Sequence, residues 1–412
     1  MSHISSFFKK LTAVLTICST VCFIAVFGYS YSLPESFLVT RGQEFSLQND
    51  VISSVRVYNG DGIAVGDSPK STELSYDVSL KLFGVMPIKN VNVSVVDRPT
   101  LIPCGTPFGI KMFTKGVMVV AITDVESGGK AYKPSADAGL KTGDIILKAN
   151  GEEVKSNEHL SSIIAKSNGI GLKFLVQRGD SKLTFTVVPV KSDADSTYKA
   201  GIWVRDSSAG IGTATFYDPA TKIFAGLGHA ICDVDTGELL PLSSGELVNV
   251  SILGITKGKS GTPGELVGTF SSRISFGNLL ANTHAGVFGT SQKSPVSAAP
   301  MQVAMKQEIK EGKAYILTTL DKNVVEPFEI SIEKISLAAN NPTKNMIIRV
   351  TDENLIKRTG GIVQGMSGSP IIQDGQLVGA VTHVFVNDPT KGYAIFAENM
   401  LENAQHVYKI AS

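Results

Sequence analysis

A serine set among glycines is the strongest chemical signal in the chain. Gly365-Met366-Ser367-Gly368-Ser369-Pro370 lies within GIVQGMSGSPIIQDGQLVGAVTHVFV, residues 361–386. A nucleophilic serine needs a tight turn with small neighbours, so that backbone N–H groups point at the oxygen of a tetrahedral intermediate. The amides of Gly365 and Ser367 are the candidates for that oxyanion hole. A glycine-rich β-turn without chemistry has the same local composition, so a second signal is required. Such a serine needs a general base, and the chain has six histidines. His3 precedes the apolar N-terminal run, His159 falls on a predicted helix and His406 in the C-terminal tail, which leaves His229, His284 and His383. His229 closes the apolar strand-like run Phe224-Ala225-Gly226-Leu227-Gly228-His229-Ala230-Ile231 and precedes the serine in the chain. His383, sixteen residues after Ser367, either lines the same pocket or packs as an ordinary strand residue. The acid of a triad is not fixed by spacing. Asp352 lies fifteen positions before Ser367, but it also reads as the N-cap of a short helix over 353–357, and Asp321 is an alternative.

These residues need rigid elements around them. The serine turn is followed by a strand, an Asp374-Gly375 hairpin turn and a second strand. The Gly-x-Ser-Gly-[Gly/Ser]-Pro form with that sequel resembles the nucleophile loop of chymotrypsin-like peptidases. The polar stretch Asp193–Thr197 marks a boundary, and the residues after it, rich in glycine and short β-like runs, suit a two-barrel β domain over 195–412. Upstream, PSADAGLKTGDIILKANGEEV (134–154) combines a helical turn, a strand and the Asn150-Gly151 hairpin signal, and the 157–165 segment reads as a helix with Leu160, Ile163 and Ile164 on one face. This order resembles a PDZ domain over 101–191. The resemblance implies a groove between a strand and that helix, where a peptide adds as an extra strand. Its carboxylate-binding loop is expected at Pro107, Phe108, Gly109 and Ile110. Residues 32–100 alternate apolar and polar positions, notably over 76–96, and read as a β-rich spacer without chemistry.

At the N-terminus, Lys9 and Lys10 precede the apolar run LTAVLTICSTVCFIAVFGYSY over 11–31. Its length of about 20 residues matches a bilayer-crossing helix, and the positive flank places residues 1–10 in the cytoplasm and the rest outside. A cleaved signal peptide is the rival reading. The overall class is thus mainly β: anchor, spacer, PDZ module and double β-barrel. A net charge of +1 argues against a nucleic-acid partner. No Cys/His spacing for zinc is present, and Cys104 and Cys232 either pair or remain free. Two further patterns fail as sites. Gly254–Ser260 is one residue short of a phosphate loop, and Asp233–Glu238 lacks the glycine of a calcium loop. No metal and no cofactor are expected.

YDPATKIFAGLGHAI, GKSGTPGE, TGGIVQGMSGSPIIQDG and VGAVTHVFVNDPTKGYAIF together resemble the stage IV sporulation protein B peptidase family of endospore-forming bacteria. The resemblance implies His229, Asp352 and Ser367 as catalytic residues of a serine endopeptidase. It also implies limited signalling proteolysis of a partner anchored in a neighbouring membrane, leading to activation of a late sigma factor, together with self-cleavage. The catalytic domain would then lie between the forespore and mother-cell membranes. The PDZ groove would take a peptide from the chain itself or from the substrate complex. The alternative is a PDZ adaptor with an inactive peptidase-like domain.

Overall fold

In the computed structural model, which describes residues 2–47, 52–57, 74–321, 324–337 and 343–411, strands carry most of the architecture. Helix α1 (Ser2–Ser32) leaves Phe23, Ile24 and Phe27 exposed. Among the described residues no helix is long and apolar enough to cross a membrane. The anchor expected over 11–31 therefore stands on the sequence run alone. The spacer is a four-stranded sheet in the order Ser36–Thr40, Met86–Val96, Ser75–Leu82, Ile52–Val57. Its alternating residues bury Phe37, Leu80 and Val93 as a small core. It is tied to the body by Arg98, whose Nη1 and Nη2 donate to the two Glu308 carboxylate oxygens at 2.8 and 2.7 Å, the paired geometry that makes such contacts strong.

The core of the PDZ-like module is drawn from residues 117–204. Helix α2 (Pro134–Asp137) starts at a proline, whose fixed φ suits a first turn. Helix α3 (Asn157–Lys166) is capped by Ser156, whose Oγ accepts from the His159 amide, satisfying one orphan donor of the first turn. Leu160 and Ile164 of α3 pack with Val119, Ile146, Phe174 and Val176.

Two long strands join this module to the first barrel. Pro107–Ile122 and Ile202–Asp218 pair antiparallel over most of their length. The second half of Pro107–Ile122 also pairs with Ile145–Ala149 of the module, and its first half with Leu242–Thr256. That strand continues through Glu265–Thr283, Gly286–Ser291 and Ile223–Gly226 back to Ile202–Asp218, closing a six-strand ring. The strand ladder thus runs across the divide expected near 191–195, through the pairing of Pro107–Ile122 with Ile202–Asp218. Pro107–Ile110 also needs correction as a carboxylate loop. These residues sit mid-strand with partners on both sides, and Phe108 and Ile110 are in the barrel core. Gly109 is bare because a Cβ there would lie 2.5 Å from the Phe270 ring.

The second barrel is closed in the order Gly312–Thr319, Val325–Ile335, Met346–Val350, Asp388–Phe396, Gln376–Phe385, Pro370–Gln373. It encloses Ile316, Ile330, Ile348 and Phe396. Helix α4 (Glu353–Thr359) leads into the serine loop. The amphipathic C-terminal helix α5 (Ala397–Ala411) lays Met400, Leu401 and Ala404 on a cluster drawn from both barrels, including Phe216, Phe288, Leu377 and Ile395. Burial of this kind, at about 25 cal/mol per Å², fixes the two barrels against each other and leaves a cleft at their seam.

Candidate functional site

The serine loop is gripped by the opposite barrel. Thr213 donates through its amide to the Ser367 carbonyl at 2.9 Å and through Oγ1 to the Gly365 carbonyl at 2.7 Å. The Thr215 hydroxyl donates to the Gly368 carbonyl at 2.8 Å. Gly365 and Gly368 have φ of 93° and 95°, a region that side chains rarely enter. A Cβ on Gly368 would fall against the Thr213 carbonyl and the Leu227 backbone, so this position requires glycine. Within the loop the Met366, Gly368 and Ser369 amides donate to the Val363, Val381 and Met366 carbonyls. Among the described residues the Gly365 and Ser367 amides donate to no protein acceptor, the state expected of oxyanion-hole donors awaiting a ligand.

His229 arrives on the other wall after the sequence Leu227-Gly228, both in the left-handed region at φ 67° and 69°. For a leucine that conformation is strained, and strain of this kind persists only where the surroundings impose it. The His229 Nδ1 lies 2.8 Å from the Ala230 carbonyl. Donation from Nδ1 to that oxygen leaves Nε2 as the basic nitrogen. Burial lowers the His229 pKa, opposed by the hydrogen bond to Ala230. The loop beyond is held from outside. Asn282 Oδ1 accepts from the Ile231 amide at 2.8 Å, and Asn282 Nδ2 donates to the Ile231 and Leu240 carbonyls at 2.8 and 2.9 Å. Further along, Arg205 pairs with Asp233 and Asp235. The Asp233-x-Asp235 pattern thus serves a salt bridge, and no metal-holding cluster occurs among the described residues.

His229, Ser367 and His383 line one cleft, whose other walls are mainly apolar: Ile211, Leu227, Ile231, Ile362, Val363 and Val384. The His229 and His383 rings lie 4.8 Å apart. His383 is thus a cleft residue, the pocket-side reading of the sequence. Its pKa is lowered to about 4, first by loss of surrounding water, then by the charges of His229 and Lys344. The Ser367 Oγ donates to the Thr382 carbonyl at 2.8 Å. No hydrogen bond joins Ser367 to His229 among the described residues, a resting arrangement common in unliganded sites, where catalytic contacts tighten only around substrate.

The acid candidates are elsewhere. Asp352 caps α4, its Oδ1 accepting from the Leu355 amide at 2.9 Å, and its Oδ2 faces the Glu329 amide at 3.4 Å. Asp321 pairs with Arg358 at 3.0 Å. Neither lines the cleft, so the structure brings together Ser367, His229 and Gly365 but not Asp352. Cys104 and Cys232 are both free, the first buried and the second at the cleft. Asn282, Thr213 and Thr382 are site residues that local sequence signals do not reveal, because each acts through a partner distant in the chain.

A family model described as SpoIVB peptidase S55 matches residues 196–401, half of the chain, and a PDZ domain model matches residues 92–188. The serine protease HTRA1A of Danio rerio is 24% identical over 157 residues, covering 38% of this chain and 28% of that protein. A DegP-like periplasmic serine endoprotease of Chlamydia trachomatis is 36% identical over 72 residues, 18% of this chain and 13% of that protein. The chain thus spans less than a third of either relative's length. Among solved structures, the PDZ domain of an SdrC-like protein from Listeria monocytogenes is 26% identical, covering 22% of this chain and 87% of that chain, with a TM-score of 0.19.

Proposed function

The chain belongs to the SpoIVB peptidase S55 family, and on that premise we propose that it is a serine endopeptidase acting by acyl transfer at the seam of its two barrels. The single observation that carries the reading is the convergence of Ser367, His229 and two unpaired amides on one cleft. Ser367 Oγ leaves the Thr382 carbonyl, gives its proton to His229 Nε2 and attacks the peptide carbonyl. The developing oxyanion is received by the Gly365 and Ser367 amides. His229 then returns the proton to the departing amine, and water reverses the sequence to release the acyl group. Nδ1 orientation falls to the Ala230 carbonyl in this geometry. The family resemblance assigns the acid role to Asp352, which would have to be brought to the ring by rearrangement.

The physiological substrate we propose is a membrane-anchored regulatory protein cleaved in a limited way during sporulation, with cleavage of the chain itself as a second reaction. An extracytoplasmic location and an N-terminal anchor over 11–31 are supported by the Lys9-Lys10 flank and the apolar run. Intact Ser367 and His229 in one cleft favour this over an inactive adaptor. The test is to mix wild type and Ser367→Ala with candidate membrane-protein ectodomains and read the products by mass spectrometry. Fragments seen only with wild type support the proposal, and identical fragment patterns would sink it.

A further inference from the structure

We infer that the outer edge of the Ile202–Asp218 strand is a docking edge for the substrate polypeptide itself, which lies extended along it from the catalytic cleft to the groove beside α3. This rests on the peptidase reading and names where the substrate chain runs. The first part of that strand has a neighbour on one side only. Ile202 through Thr213 pair with Pro107–Ile122, whereas the strand Ile223–Gly226 joins the opposite side only from Ala214 onward. Thr213 is closed on that side, its amide donating to the Ser367 carbonyl and its carbonyl accepting from the Leu227 amide, but among the described residues no backbone partner covers that side from Ile202 to Gly212. An open edge of this length is a template for an added strand.

Both ends of the edge are built sites. At one end, α3 runs beside the strand in the opposite direction. The Asn157 amide at its start donates to Asp206 Oδ2 at 2.9 Å, and near its far end the Tyr198 ring lies so close to Gly169 that a Cβ there would be 2.9 Å from it. Ala200-Gly201 thus stands where the module would offer its peptide-binding turn, the role expected of Pro107–Ile110. Gly201 has φ 69°; its carbonyl accepts from the Thr123 amide at 2.9 Å, and the Ala200 carbonyl accepts from Ser135 Oγ at 2.6 Å. At the other end, Ser208, Gly210 and Ile211 line the cleft with His229 and Ser367. A side chain at Gly210 would meet nothing within 4 Å, so the floor is open to an incoming backbone. Between the two ends Trp203 is 66% exposed and offers an aromatic face to that chain. Continuity with the cleft identifies the occupant: a polypeptide seated in the groove by α3 and extended along the edge enters the cleft directly.

Antiparallel pairing, the more stable ladder, sets the direction. The segment C-terminal to the scissile bond then runs from Gly210 toward Trp203, about 23 Å at ~3.3 Å per residue. The bond cut should therefore be followed by about eight residues of substrate. The experiment uses the full chain in detergent micelles and a pool of random-sequence peptides about 24 residues long, enough to fill the edge at ~3.3 Å per residue. Cleavage positions are mapped by mass spectrometry. We expect cuts within the last seven or so residues to be depleted at least about tenfold relative to cuts equally near the N-terminus, since ends that short leave part of the edge empty. Trp203→Ala should weaken that bias. The Ser367→Ala protein with the same peptides should show slowed hydrogen exchange over residues 203–211. Ser367-dependent cleavage without end bias overturns the docking edge and leaves the peptidase reading intact. No Ser367-dependent cleavage overturns the peptidase reading, and the exchange measurement then judges the edge alone, absence of protection refuting it.

Discussion

Replacing Asn282 by alanine removes three hydrogen bonds at once, all of them made to the loop that carries His229. The Ile231 amide loses its acceptor, and the Ile231 and Leu240 carbonyls lose their donor. A net hydrogen bond contributes about 0.5–1.5 kcal/mol, so three sum to roughly 1.5–4.5 kcal/mol. Asn282 is half-buried, and water reaching the vacated groups places the loss in the lower half, about 2–3 kcal/mol. The catalytic effect should be larger in proportion, since His229 sits two residues from the released position and a misplacement near 1 Å costs on the order of 10²-fold in rate. The assay is paired: urea denaturation for stability, and the rate of Ser367 modification by a serine-reactive phosphonate for the site. Asn282→Asp keeps the acceptor but sets a carboxylate against two carbonyls, and should rank with alanine. A variant with wild-type stability, or one that loses stability while labelling within twofold of wild type, would refute the view that Asn282 positions the base.

Asp352 separates two mechanisms. Asparagine caps a helix as well as aspartate, so Asp352→Asn should keep stability within a few tenths of a kcal/mol and leave the labelling rate near wild type. A loss near 10⁴-fold, as for a triad acid, would show that Asp352 reaches His229 during catalysis. Gly368→Ala should destabilise by about 2–4 kcal/mol, from a left-handed alanine and overpacking against Thr213, as measured by urea midpoint. pH dependence follows from the two cleft histidines. Both have lowered pKa values, with His383 at about 4 against an ordinary 6.5, so the unfolded chain binds their protons first as pH falls. The His383 contribution to stability is full above pH 6.5 and is lost as pH drops toward 4, and the His229 contribution falls in the same direction below pH 6.5; His383→Gln should flatten the urea midpoint across the window from 6.5 to 4. His229 stays a neutral base for the same reason, so the labelling rate should begin to fall only below pH 6.5.

Much of this was legible in the residues. The Gly-rich turn around Ser367 and the apolar run into His229 are local patterns with local causes, and the structure brings both to one cleft. The cap on α4 was equally local: Asp352 followed by Glu353 reads as a helix start, and that is what the structure shows. What failed was long range. Pro107–Ile110 matches a PDZ loop in composition, but its two-sided pairing depends on strands roughly 100 and 140 residues later. The Ala200-Gly201 turn lies beyond the polar stretch at 193–197, where composition marks a boundary although the strand ladder continues. Asn282 carries no signal of its own, since its partners are 51 and 42 residues away.

The most direct test of the central claim is modification of the full chain by a phosphonate that reacts only with an activated serine, read by mass spectrometry of the intact protein and of its peptides. One adduct on Ser367 is expected, absent from Ser367→Ala and lost from His229→Ala, because without the base the hydroxyl keeps its proton and goes on donating to the Thr382 carbonyl. No adduct on wild type, or an equal adduct on His229→Ala, would contradict that claim.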